Sequence, residues 1–171
     1  MPPSKWASRA FDLNTPPSWA PEVLERLEGT TPRIRHLIDG IPQSILIARP
    51  RETWSMQEHV GHLGDLQTLL TTRISEFISG ADELSPADMT NEATWSANHN
   101  ERAIEDVIQD FHRQRREALI TLRALGEDDF ARAVHHPRLK IPMRLIDLCE
   151  FESTHDDYHL ARMRETCAMV M

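Results

Sequence analysis

The chain has 171 residues, with 19 basic against 27 acidic side chains and a formal charge of −8. That length suits one domain able to bury about 70% of its unfolded surface without covalent help, and the two cysteines, Cys149 and Cys167, form no CxxC pair, which excludes a zinc ribbon, a thioredoxin motif and a secreted disulfide scaffold. The acidic balance opposes a nucleic-acid partner, because phosphates must be neutralised by Lys and Arg, and the short cluster Arg113, Arg115, Arg116 reads as a solvated helix face.

The opening MPPSKWASRAFDL carries no apolar h-region, and nowhere do about 18 apolar residues run together. The expectation is a cytoplasmic protein without a membrane span. Residues 1–17 hold four of the eleven prolines and little periodicity, so they read as an arm, lying on the domain or disordered, ahead of a single domain at 18–171. A short helix follows from about Ala20 to Leu27, ended by Gly29. Thr31-Pro32 then predicts a helix start, with Thr as N-cap and Pro in the first turn. Ile34, Leu37, Ile38, Ile41 and Ile45 keep helical spacing, and Gly40 and Pro42 should kink or interrupt the run.

After the break at Arg49-Pro50-Arg51, Ser55 and Glu58 form an S-x-x-E capping box. The helix that it opens carries Val60, Leu63, Leu66, Leu70, Ile74, Phe77 and Ile78, and stops at Gly80. Residues 81–99 are a polar connection, long enough to cross the domain. Asn98 or Asn100 caps a third helix striped by Ile104, Val107, Ile108, Phe111, Ala118, Leu119, Leu122 and Leu125, closed by Gly126. His135-His136-Pro137-Arg138 with Ile141-Pro142 reads as a loop, and a fourth helix spans about Met143 to Cys167. No segment shows a period of two, so the pattern predicts an all-α four-helix bundle.

Nine histidines are the main chemical signal. His155 and His159, spaced i, i+4, share one helical face with Leu148, Met163 and Glu152. Two histidines and an acid on a buried face need compensation, which a metal supplies; the bland alternative is two hydrogen-bonded core histidines, with Glu152 paired to an arginine. For a third ligand the second helix offers His59, near the middle of its stripe, and His62 at the edge, beside Leu66 and Leu69 and one turn from Asp65. Periodicity alone prefers His59. His36, His99 and His112 read as surface or half-buried residues, His135 and His136 as loop residues within reach of a pocket mouth, and Trp54 as a staple of the second helix onto the core.

The stretch from Arg49 to Asp65, RPRETWSMQEHVGHLGD, resembles the DinB/YfiT-like family, in which a Trp-Ser or Trp-Thr helix start precedes a ligand histidine by eight residues. Counting from Trp54 gives His62. The family's second signature, HxxxH after a His-Pro loop, is matched by His155, His159 and His136-Pro137, and Thr31-Pro32 suits it too. The resemblance covers roughly residues 20–166. It implies a four-helix bundle, commonly a homodimer, with His62, His155 and His159 around zinc, nickel or another divalent ion. Three neutral imidazoles leave an open position, as in catalytic sites. Asp65 and Glu152 are then candidates for an outer hydrogen-bond acceptor, a fourth ligand or a general base, against the plainer reading of Asp65 as a surface carboxylate. The resemblance implies a metal-dependent enzyme acting on a small molecule, either a hydrolase or a transferase of a low-molecular-weight thiol such as bacillithiol, mycothiol or glutathione. The alternative is a non-catalytic, stress-related metal-binding module. Ile41, Ile45, Leu46 and Ile47 spread over a wide arc and add support for a dimer, unless the arm with Trp6 and Phe11 covers them.

Overall fold

A computed structural model describes residues 6–171. Residues 1–5 of the expected arm lie outside the described residues. The first bundle helix is built from α1 (Ala20–Glu28) and α2 (Thr30–Ile38), joined through Gly29, which keeps helical dihedrals (φ −63°, ψ −8°). The predicted cap at Thr31 is thereby corrected: the chain is already helical there, so no free N–H awaits a cap. The break at Gly40 and Pro42 is present. Gly40 takes φ 69°, and Pro42 precedes the single turn α3 (Gln43–Leu46).

The second bundle helix opens on the capping box. Ser55 Oγ accepts from Glu58 N at 3.1 Å, and Glu58 Oε2 accepts from Ser55 N at 2.9 Å, an exchange worth about 1 kcal/mol. Arg49 adds an ion pair to Glu58. The expected single helix is two segments, α4 (Met56–Asp65) and α5 (Gln67–Ser79), meeting at a turn at Leu66. Gly80 ends α5 in the left-handed region (φ 72°), where only glycine is unstrained, and Ala81 N–H closes on Glu76 O at 2.9 Å.

The connection holds α6 (Glu92–Ser96) and a 3₁₀ turn at His99–Glu101, both packed on α4. Neither asparagine caps the third helix, α7 (Ile104–Arg123), which follows an extended Ala103; Asn100 accepts from Ser55 Oγ instead. Gly126 does not close α7 either. It precedes a further short helix, α8 (Glu127–Ala131), with its N–H given to Asp129. The loop expected at 135–142 is a hairpin of β1 (Ala133–His136) and β2 (Ile141–Arg144), so the chain does contain strands. They are too short for a period of two to register. The last helix, α9, runs Leu145–Val170; the Asp147 carboxylate caps it by accepting from Arg144 N at 3.0 Å.

α9 packs on α1, α2 and α4, and α7 packs on α4, α5 and α1. This is the predicted four-helix bundle, with short additional elements. Its apolar interior forms two clusters. One gathers Leu27, Leu70, Phe77, Leu122 and Leu148; the other Ile34, Val60, Ile108, Phe111 and Met163. Each bundle helix places one polar residue between its contributions to the two: Thr30, Gln67, Arg115 and Asp156. Arg115 Nη1 reaches Asp156 Oδ2 at 2.6 Å, Thr30 Oγ1 donates to the same oxygen at 2.7 Å, and Arg115 Nε donates to Gln67 Oε1 at 2.9 Å. Arg115 is therefore buried, contrary to the solvated face expected for it, whereas Arg113 and Arg116 are exposed. Among the described residues no helix is long and apolar enough to cross a membrane.

Candidate metal centre

α4 reaches the centre of the molecule enclosed on every side: every residue from Met56 to Leu63 is buried. The preference that periodicity gives His59 is therefore corrected: with burial uniform along this stretch, the middle of the stripe does not mark the inward ligand. α9 brings His155 and His159 to the same point, one turn apart. The ligand nitrogens of His62, His155 and His159 all lie within 4.8 Å of one another, and His155 Nε2 and His159 Nε2 are 3.1 Å apart. Two nitrogens at about 2.0–2.1 Å from a tetrahedral ion sit roughly 3.4 Å from each other, so the arrangement fits a divalent cation. Burial, reinforced by neighbouring cations and rings, pulls the pKa of His62 and of His155 down to about 3 and that of His159 well below its ordinary value. All three rings are neutral at pH 7, with a lone pair to give.

The other ring nitrogens are held from behind. His62 Nδ1 lies 3.0 Å from Thr94 Oγ1, whose hydroxyl donates to Asp65 Oδ2 at 2.8 Å. The hydroxyl must then accept from His62 Nδ1–H, which leaves Nε2 unprotonated for the centre. Asp65 also accepts from His99 Nε2 at 3.0 Å. Burial alone would raise the Asp65 pKa, but the bonds from His99 and Thr94 outweigh it and hold the carboxyl below its usual value. On the other side His159 Nδ1 lies 3.0 Å from His59 Nδ1. His59 thus stands behind a candidate ligand instead of competing with His62.

Asp65 is accordingly neither a surface carboxylate nor a member of the histidine group; it acts through Thr94. Glu152 is also outside that group. It is buried without a hydrogen bond or ion pair among the described residues, so the salt-bridged reading fails too. Burial pushes its pKa up to about 7 against the pull of Arg115 and Arg73. His99 is buried, contrary to the surface or half-buried position expected for it, and Thr94 carries no signal in the sequence: both sit in the polar connection, where no periodicity marks an inward residue. Trp54 packs at a tilt against His62 (4.6 Å between ring centroids) and stacks on His159 (6.0 Å), so it staples the helix start onto the histidines themselves. Trp6, from the arm, meets the His155 ring edge-on at 4.7 Å.

Two cavities reach the cluster and share Trp6, His62, Met89, Asn91 and His155 as their common wall. The larger, about 440 Å³, is lined by Trp54, Trp95, Tyr158 and Arg162; the smaller, about 80 Å³, by Arg73, His136, Arg138 and Glu152. A groove of about 640 Å³ between Pro17–Leu24 and Leu122–Phe130 is bigger than either but contains no histidine or cysteine.

The sequence profile of the DinB superfamily matches residues 9–163, and the chain belongs to that family. Its fold is that of YfiT from Bacillus subtilis, whose structure is described as "a probable metal-dependent hydrolase with an unusual four-helix bundle topology": TM-score 0.78 at 17% identity, over 92% of this chain and 91% of that one. A mycothiol-dependent maleylpyruvate isomerase is also similar, with TM-score 0.65 at 10% identity, over 82% of this chain and 59% of the other. Among curated proteins no sequence matches the chain.

Proposed function

We propose that this protein is a metal-dependent enzyme acting on a small molecule, with a divalent ion, zinc or nickel, held by His62, His155 and His159. The observation that carries the reading is the convergence of three buried, neutral imidazoles beneath a cavity, with no fourth side-chain ligand in the group. A closed structural site has four protein ligands, whereas three leave a position for a reactant. The ion, when bound, supplies a Lewis acid that makes water or a thiol nucleophilic near neutral pH. Thr94 and Asp65 fix the tautomer of His62, and with His159 Nε2 given to the ion its Nδ1–H donates a hydrogen bond to His59 Nδ1. Trp54 and Trp6 shield the rings from bulk water. Glu152 lines the smaller cavity together with His155; with its pKa near 7 it is matched to take a proton from the nucleophile and return it to the leaving group.

Hydrolysis needs one bound reactant besides water and is the primary reading. The meeting of two cavities at the histidines favours a second, transfer of a low-molecular-weight thiol to an electrophile, with one reactant in each cavity. The test is to assay metal-reconstituted protein against a panel of esters and amides, and against bacillithiol, mycothiol and glutathione with monochlorobimane. Turnover should disappear on chelation and in His155→Ala, with metal content falling in that variant. Turnover that survives both refutes metal catalysis. No turnover, together with a large fall in melting temperature on chelation, would identify a non-catalytic metal-binding module.

A further inference from the structure

The smaller cavity holds an electrostatic imbalance that the metal centre does not explain. Arg73, on α5, is 2% exposed. Its Nε and Nη2 both donate to Ser85 O, at 2.9 and 2.8 Å, and among the described residues no carboxylate lies within ion-pair distance. A buried guanidinium left without a counter-ion is costly. Burial lowers its pKa, and Glu152 and Glu76 offset this only at a distance. Arg138, from the turn of the hairpin, lines the same cavity. Its guanidinium lies over Phe151 at 5.9 Å and, among the described residues, likewise has no carboxylate partner.

His136 adds a neutral donor. Its Nδ1 accepts the backbone N–H groups of Arg138 and Leu139, both at 3.3 Å, so the ring proton resides on Nε2. Among the described residues Arg73 Nη1 and His136 Nε2 have no acceptor, yet neither belongs to the fully enclosed, unpartnered atoms, which are Trp54 Nε1 and His99 Nδ1. Both atoms therefore keep some accessible surface, and both residues line the cavity. Two cations and a ring N–H face one buried carboxylate, Glu152; the second carboxylate of the lining, Asp88, is exposed and already accepts from Thr90 N, Thr90 Oγ1 and Glu92 N, so the balance of the buried part of the pocket is positive. At about 80 Å³ it has room for an acid group and a short carbon stem, since one water needs only about 10–15 Å³ on this measure.

We infer that this cavity is an anion subsite in which Arg73, Arg138 and His136 hold a carboxylate of the substrate, with the rest of that molecule directed past His155 and His62. A planar carboxylate matches the fork of a guanidinium better than a point charge would. As an assignment of substrate class the inference rests on the metal-centre reading above; as an anion site it stands without it.

The test is a chemical-shift titration of ¹⁵N-labelled protein, chelated so that no ion can take the ligand, with propionate, its neutral counterpart propionamide, and inorganic phosphate. Propionate should saturate in the millimolar range with shifts centred on Arg73, His136 and Arg138, and propionamide should not bind. Arg138→Gln, at a half-exposed position that leaves the bundle untouched, should weaken propionate about tenfold or more; Arg73→Gln should weaken it further if it folds. Equal binding of the amide, or propionate affinity unchanged in Arg138→Gln, overturns the subsite. Phosphate binding more tightly than propionate overturns the choice of carboxylate. Metal content of His155→Ala, measured in parallel, reports on the metal centre alone, so failure of either assignment is read independently of the other.

Discussion

Gly61 lies on α4 between His59 and His62, where the ring of His99 packs directly on the helix backbone. A Cβ built at Gly61 would sit 2.3 Å from His99 Cγ and Cδ2 and 2.5 Å from Nδ1. Carbon atoms in contact prefer about 3.5–4.0 Å, so Gly61→Ala must push a buried ring back by more than about 1 Å. Three magnitudes compete. Alanine gains about 1 kcal/mol over glycine in a helix interior. Overpacking a filled site costs about 1–3 kcal/mol. Losing the bond from His99 to Asp65 costs about 1–3 kcal/mol more. The balance is a loss of about 3 kcal/mol, or roughly 6–12 °C in melting temperature for a chain of this size. Calorimetry and urea denaturation of Gly61→Ala, His99→Ala and the double variant test this. With the ring removed, Gly61→Ala should cost nothing or stabilise, giving a coupling energy of about 3 kcal/mol or more. A melting temperature at or above that of the parent, or the same cost in both backgrounds, would refute the account.

Acid should destabilise the metal-free protein. Its buried histidines, among them His59, His62 and His155 at about 3, refuse protons that the unfolded chain accepts near 6.5. Stability is thus full above pH ~6.5 and falls toward pH ~3, by about 1.4 kcal/mol per pH unit for each such ring; a urea midpoint unchanged between about pH 7 and pH 5 would contradict this. Asp156→Ala strands Arg115 in the interior and should cost about 3–5 kcal/mol by denaturant unfolding, whereas replacing both partners with apolar residues should recover most of it. For assembly we propose a homodimer formed through the α3 face. Trp6 and Phe11 pack with the first apolar cluster and Ile41 with the second, so deleting residues 1–17 should leave a dimer by light scattering, and a full-length monomer would remove the proposal.

Legibility of the chain followed local chemistry. The capping box at Ser55, the stop at Gly80 and the interruption at Gly40 and Pro42 depend on a few adjacent residues, and each stands as read. So do the paired histidines of α9, because a four-residue spacing has one meaning on a helix. Features set by distant partners were not legible. Arg115 looks like a surface residue until Asp156 is opposite it, and Thr94 has no pattern of its own. The hairpin escaped because four-residue strands containing Pro142 carry too little alternation. Periodicity favours His59, but on a helix that is buried all round the middle of the stripe does not tell which ring joins the pair on α9; the resemblance singled out His62, and the structure groups it with His155 and His159.

The polar belt of Thr30, Gln67, Arg115 and Asp156 also bears on how α9 is threaded. Leucines, methionines and phenylalanines along a bundle are nearly interchangeable from one turn to the next, so an apolar interior alone tolerates a helix slid by about 5.4 Å. Such a slip would bring Glu152 or His159 to the level of His155 and scramble the nucleus of the site. It would also draw Asp156 away from Arg115 and Thr30, leaving a naked charge in the interior at a cost of several kcal/mol. Next to His155 in the sequence, Asp156 is the pawl that lets the helix seat in one notch.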